Sequence, residues 1–303
     1  MSAPALAGLL AAALAAPGAT CPASALGPES GHAMAYHAGI RRVVLLTTGG
    51  SLWSWDGRAW TCLTADGPSP RTDAAMTYDP SRDRLVVVGG RGGGRLPLTD
   101  TWAWDRSRWT RTDTAAFSPR VHSAAAYDAT SHQILLYGGG DDNGILRDTW
   151  RRSANGWIAV PGDGPDARVV DAMAPTPDGA LLVTARLADT PTLPIELWRW
   201  SGAAWQPVPG SGPSVSPVAP AAWTRSGLVL FAGWEPDGSA RAWLWNGRAW
   251  SALPIGAGLR RKGTAVAYDE ARDRLVLFGG DDGDRTLGDT WEWDGTAWTK
   301  PAA

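Results

Sequence analysis

Four arginines hold one recurring place in this chain. Arg71, Arg120, Arg168 and Arg261 each lie seven residues before a position marked by a repeat: Tyr78, Tyr127, Pro175 and Tyr268. Glu29 and Ser216 hold the same place before Tyr36 and Trp223. A guanidinium is a planar fork that grips two oxygens of a carboxylate, sulfate or phosphate. Four of them converging on one mouth would make an anion-binding ring. His122 would stand near it, and Arg91 opens the loop "RGGGRLPLT" (91–99) on the same side. The same residues support a plainer arrangement. The "DTW" triplets place Asp100, Asp148 and Asp289 where each could pair with an arginine and merely tie the fold together. Both arrangements stay open at this level, with the balance toward pairing.

Little else in the chain could do chemistry. It has no G-x-S-x-G, no P-loop and no metal-ligand spacing. The run "GGRGGG" (89–94) is followed by no helix, so it lacks a phosphate-cradling helix terminus. The acidic loops at Asp141, Asp142, Asn143 and at Asp281, Asp282, Asp284 lack the spacing of a calcium loop and read as solvated turns. No catalytic residue, no metal ligand and no cofactor is therefore assigned.

The elements that would position the arginines come from a repeat. Aligned on tryptophan, "SLWSWDGRAW", "DTWAWDRSRW", "DTWRRSANGW", "ELWRWSGAAW", "RAWLWNGRAW" and "DTWEWDGTAW" end at Trp60, Trp109, Trp157, Trp205, Trp250 and Trp298. Upstream of each lies a second piece, such as "AMTYDPSRDRLVVVGG" (75–90) or "AVAYDEARDRLVLFGG" (265–280). Each unit reads as four short strands. Strand a is small and alternating. Strand b is a continuous apolar run buried on both faces. Strand c carries the W-x-W alternation, which puts both indoles on one face. An Asp-Gly or Asn-Gly step turns the chain into strand d. A four-stranded sheet cannot bury both faces alone, but a ring of them can. The expected fold is therefore all-β: a six-bladed β-propeller of four-stranded antiparallel blades. The blades span about 30–67, 68–117, 118–165, 166–213, 214–258 and 259–303. No strand shared between the ends of the ring is evident. The nineteen tryptophans are then wedge fillers between blades.

With the Gly pairs at 49–50, 89–90, 138–139 and 279–280, the aromatic before them and the Trp after them, the chain resembles the kelch repeats of the galactose oxidase-like β-propellers. The resemblance implies the fold far more than a function. Units four and five depart from it, with Thr184–Ala185 and Ala232–Gly233 in place of the Gly pair. A copper-radical oxidase of that family would need converging tyrosine and histidine ligands. Here His32, His37 and His132 fall in or beside strand a or its turn, and Cys62 falls on an outer strand, so that activity is rejected.

Composition bounds the rest. The formal net charge is -2, so nothing points to nucleic acid. No long apolar run follows residue 27, so no membrane span is expected. Residues 1–25 read as a secretory signal ending in "ASA", or otherwise a disordered tail. That places the chain outside the cell or in the periplasm if the segment is cleaved, and in the cytoplasm if it is not a signal. Cleavage after Ala25 would leave Cys62 alone, whereas retention would permit a Cys21–Cys62 bridge.

In an antiparallel meander the b–c and d–a loops open on one face, and these are the long, variable ones. The first expectation is a non-catalytic, monomeric recognition propeller at 26–303 that binds a protein or glycan there. Two alternatives stand beside it. One is a cofactor-light isomerase or lyase acting on an acidic sugar or small molecule held by the arginines, and the other is a bare scaffold. An enzyme is the less expected of these.

Overall fold

The computed structural model describes residues 21, 25–114, 117–153, 156–162, 164–166, 169–185, 193–210, 212–215, 219–234 and 239–301. Six antiparallel sheets, each with its strands in the order a-b-c-d, stand in a ring as a six-bladed β-propeller. Blade 2 shows the pattern: strand a is Ala75–Asp79, b is Arg84–Val88, c is Asp100–Trp104 and d is Trp109–Thr114. Its register sets Tyr78 opposite Leu85, Leu85 opposite Trp104 and Trp104 opposite Trp109. Strands a of blades 1 to 6 begin at Ala33, Ala75, Ala124, Val169, Ala221 and Ala265. They touch one another in that order, and the sixth touches the first.

The period of two along strand b builds the core. In blade 1, Val43 and Leu45 face blade 6, packing with Val276 and Phe278. Val44 and Leu46 face blade 2, packing with Leu85 and Val87. All four are fully buried or nearly so, which is why this strand is apolar at every residue after Arg42. Both indoles of a W-x-W pair enter one wedge, as Trp102 and Trp104 do between blades 1 and 2.

The ring closes without a shared strand, through the stretch before blade 1. Glu29 N donates to Leu287 O at 3.1 Å, and Gly280 N donates to Glu29 O at 2.8 Å. Blades 2 and 3 are joined in the same way, by Arg120 N to Leu98 O and Gly90 N to Arg120 O. Glu29 thus occupies the arginine place in space as it does in the repeat. Gly279 sits in the left-handed region, and a Cβ there would lie 2.4 Å from Glu29 O, so a side chain would open this closure. A further tie is the Cys21–Cys62 disulfide, which binds the leading segment to strand d of blade 1. A cut after Ala25 would remove half of that bridge. Among the described residues no helix is long and apolar enough to cross a membrane.

The "DTW" threonine is a joint between blades. Thr101 Oγ1 accepts from the Trp157 indole at 2.9 Å, Thr149 Oγ1 from Trp205 at 3.0 Å, and Thr290 Oγ1 from Trp60 at 2.9 Å. In two blades without that hydroxyl the facing indole is orphaned. Leu52 and Ala242 stand at the threonine position in blades 1 and 5, and the buried N–H groups of Trp109 and Trp298 have no partner. A buried donor without an acceptor costs about 1–3 kcal/mol. Thr101→Val, which keeps shape and removes the acceptor, should therefore destabilise the chain by about that amount in urea denaturation. An unchanged midpoint would show that the joint contributes nothing.

Candidate functional site

The arginines are answered first. Arg71 sends Nη1 and Nη2 to the two oxygens of Asp100 at 2.7 and 2.9 Å, and Nη1 also to Gly89 O. Its remaining donors reach Ser69 O and Ser69 Oγ. Arg120 grips Asp148 at 3.0 and 2.9 Å and reaches Gly138 O. Arg261 grips Asp289 at 2.6 and 3.2 Å and reaches Gly279 O. The same aspartates accept the indole N–H of Trp102, Trp150 and Trp291. The described arginines therefore do not converge as an open cluster. Each is buried and folded back into its own blade, where it clamps the exit of strand b to the start of strand c. Arg168 and Ser216 lie outside the described residues. Arg91 hydrogen-bonds Arg95 O at the base of its loop, away from the channel. In blade 1 Glu29 accepts from Thr48 N and Thr48 Oγ1 instead, and Ser51 serves the Trp53 indole.

Burial opposes ionisation of Asp100, Asp148 and Asp289, but the arginine and indole donors outweigh it and hold all three carboxyls below the usual range. The acidic loops are turns built the same way on a smaller scale. Asp141 caps Asn143 N and Gly144 N, Asp281 caps Gly283 N, and Asp282 caps Asp284 N and Arg285 N.

The free chemistry lies two residues beyond the arginine place. There Gly31, Asp73, His122 and Gly263 all adopt positive φ. Gly31 N donates to Gly263 O, Asp73 N to Gly31 O and His122 N to Asp73 O, at 3.0 to 3.1 Å. This makes a backbone belt around the mouth of the channel from blade 6 through blades 1 and 2 to blade 3. Two of the four strained positions carry Asp73 and His122 rather than glycine, with Nδ1 of His122 3.9 Å from the Asp73 carboxylate. His122 is therefore at the mouth, as expected, and its partner there is Asp73.

Inside the belt the channel opens into a cavity of about 470 Å³. His32, Ser123 and Thr264 line its first layer, with Lys262 at the rim. Both ring nitrogens of His32 and the Oγ of Ser123 are buried without a hydrogen-bond partner. Burial lowers the His32 imidazole to about 4, opposed by the Phe278 backbone, which closes no hydrogen bond of normal geometry. Below that layer Met34, Met76, Ala125, Met173, Ala221 and Val266, one from each blade, form a waist that also bounds a second cavity at the opposite mouth. Asp73, Ser123 and Lys262 were not singled out in the sequence. The signal for the first two was the same count that found the arginines, carried two or three residues further.

The chain's own chemistry sets its acid tolerance. His32 and His37 both have folded values near 4, depressed by burial from about 6.5. Their contribution is fully present above pH 6.5 and is lost as pH falls toward 4. The three clamp aspartates are depressed as well, so their contribution starts to fall only below about pH 4. Urea stability should therefore decline between pH 7 and 4, and His32→Phe should flatten that decline; a stability constant over this window would refute the neutral buried imidazoles. Asp100→Asn should cost about 3–5 kcal/mol at neutral pH, because it leaves Arg71 buried without its counter-charge. A loss below 1 kcal/mol would show the clamp to be weak.

No family model matches the chain, and no curated protein does. Among solved structures it is similar to that of YjhT, with a TM-score of 0.68 over 91% of this chain and 98% of that one, at 15% identity. A likeness at that identity carries the propeller fold and nothing of the chemistry.

Proposed function

We propose that this propeller is a recognition module whose b–c and d–a loop face takes a hydroxyl-rich group, such as the end of a glycan, into the mouth of the channel. The observation behind this reading is the pair Asp73 and His122, whose side chains stay partly exposed at the mouth of a cavity of about 470 Å³. A polyol can supply donors and acceptors at once. Asp73 would accept from it and His122 would donate to it. The volume suits a small ligand or the tip of a larger one. A reaction on an acidic substrate held by the arginines fits less well, because Arg71, Arg120 and Arg261 have committed their forks to Asp100, Asp148 and Asp289.

A second reading, a protein docked across the rim, rests on two loops. Residues 91–98 and 140–145 fold into small ribbons tied to the neighbouring strands, and they expose Leu96 and Ile145 on adjacent blades. Exposed apolar tips on a rigid rim are a common feature of protein contacts.

The test is a glycan array read with the purified chain, followed by titration of any hit against Asp73→Asn, His122→Ala and Leu96→Asp. A glycan whose affinity falls about tenfold in the first two and is unchanged in the third supports the glycan reading. Loss only in Leu96→Asp moves the reading to a protein partner. Turnover of a bound sugar, or binding indifferent to all three changes, overturns the proposal.

A further inference from the structure

The opposite mouth, where the a–b turns open, is built differently. One step of two residues below the waist, strand a presents Tyr36, Tyr78, Tyr127, Trp223 and Tyr268. Only blade 4 breaks the layer, with Pro175. Side chains two apart share a strand face, so the waist and this layer are successive rings of one channel. Together they enclose a cavity of about 620 Å³ that opens to solvent between the turns. From five blades the structure thus gathers aromatic rings around one axis.

Three of the four phenol hydroxyls in this layer are held by the turns. Tyr78 donates to Asp83 Oδ1 at 2.7 Å, and Tyr268 donates to Asp273 Oδ1. Tyr127 shares a bond of 2.6 Å with Ser81 Oγ and one of 3.0 Å with His132 Nδ1. With those three hydroxyls committed, their rings offer the cavity carbon surface, and an aromatic π-system carries partial negative charge on its faces. The thioethers of Met34, Met76 and Met173 floor the space with soft, polarisable groups.

The cavity lining carries one carboxylate and one guanidinium. Glu270 lines the cavity, and among the described residues no cation is paired with it. Arg225 lines it too, but its Nη1 lies 3.0 Å from the Asp273 carboxylate, which neutralises it. Asp269 is next to Glu270 and is already gripped by Arg272. Burial, and then the charges of Asp269 and Glu270, hold the Tyr36 phenol above its usual range, with Arg41 acting the other way.

We propose that the a–b turn mouth is a binding site for an organic ammonium ion, seated among Tyr36, Tyr78, Tyr127, Trp223 and Tyr268 and neutralised by Glu270. Aromatic rings around one carboxylate attract a bulky, weakly hydrated cation by cation–π interaction and leave a small metal ion without the oxygen ligands it needs. The waist residues lie between this site and the loop-face cavity and line both.

The experiment uses choline and its uncharged carbon isostere, 3,3-dimethyl-1-butanol, titrated calorimetrically into the full chain. The expected result is choline binding about tenfold tighter than the isostere. Glu270→Gln, an exposed position that leaves the fold alone, should weaken choline severalfold and leave the isostere unchanged. Tyr268→Phe keeps the ring and should retain binding, whereas Tyr268→Leu removes it and should lose most of it. Equal binding of choline and isostere would reduce the site to an apolar cavity and overturn the proposal. So would choline binding unaffected by both Glu270→Gln and Tyr268→Leu, or no choline binding at all. His122→Ala at the other mouth should leave choline binding unchanged, which keeps this test separate from that of the loop face.

Discussion

A guanidinium buried in a β-sheet must have its charge and its donors answered on the spot. In blades 2, 3 and 6 one carboxylate at the start of strand c does most of this, assisted by a glycine carbonyl at the end of strand b. Three strands are thereby pinned at one point, since the arginine itself leads into strand a. The glycine pair is part of the same joint. Its backbone must turn sharply and come within hydrogen-bond distance of the following blade, as Gly90 N does to Arg120 O. The indole two residues beyond the aspartate completes the joint by donating to the carboxylate, so Arg, Gly, Asp and Trp recur together because each satisfies another.

That joint leaves the axis of the ring unoccupied. Side chains that meet at the axis come from the alternating positions of strand a, and they form layers. Polar residues stand near the loop face, a largely aliphatic waist lies in the middle, and aromatics crowd the turn face. The two mouths therefore have different chemistry. The loop face holds unpartnered hydrogen-bonding groups beside strained Asp73 and His122, and it is bordered by loops that vary from blade to blade. The turn face is framed by tightly capped turns and offers π-surface with one unpaired carboxylate. The six waist residues line both cavities, so the two mouths are chemically distinct ends of one channel.

Blades that lack the clamp are held by other means. In blade 1 the Glu29 carboxylate takes Thr48, and Ser51 takes the indole. The same stretch, 27–31, also completes the ring by repeating toward blade 6 the backbone bonds that join blades 2 and 3. The disulfide from Cys21 to Cys62 fastens this stretch to blade 1 from the outside. Ring closure is thus concentrated in a few residues outside any strand, where an ordinary alignment of strands would not look for it.

Periodicity carried the architecture in the sequence itself. Six Trp-centred units, an apolar strand b and Asp-Gly turns require blades that bury both faces, and only a closed ring allows that without a large helical layer. The faces on which loops and turns open followed from strand alternation alone. The arginine place was legible too, by counting back from Tyr78, Tyr127 and Tyr268. Whether those arginines met one another or their own aspartates was decided by tertiary structure, because side-chain direction at a strand entrance depends on how the b–c loop folds over it. The positions of the belt through Gly31, Asp73 and His122, of the waist and of the aromatic layer lie on the same count, but their meeting in space does not. Each is made of one residue per blade, separated by about fifty positions in the chain, and only closure around an axis brings them within reach of one ligand.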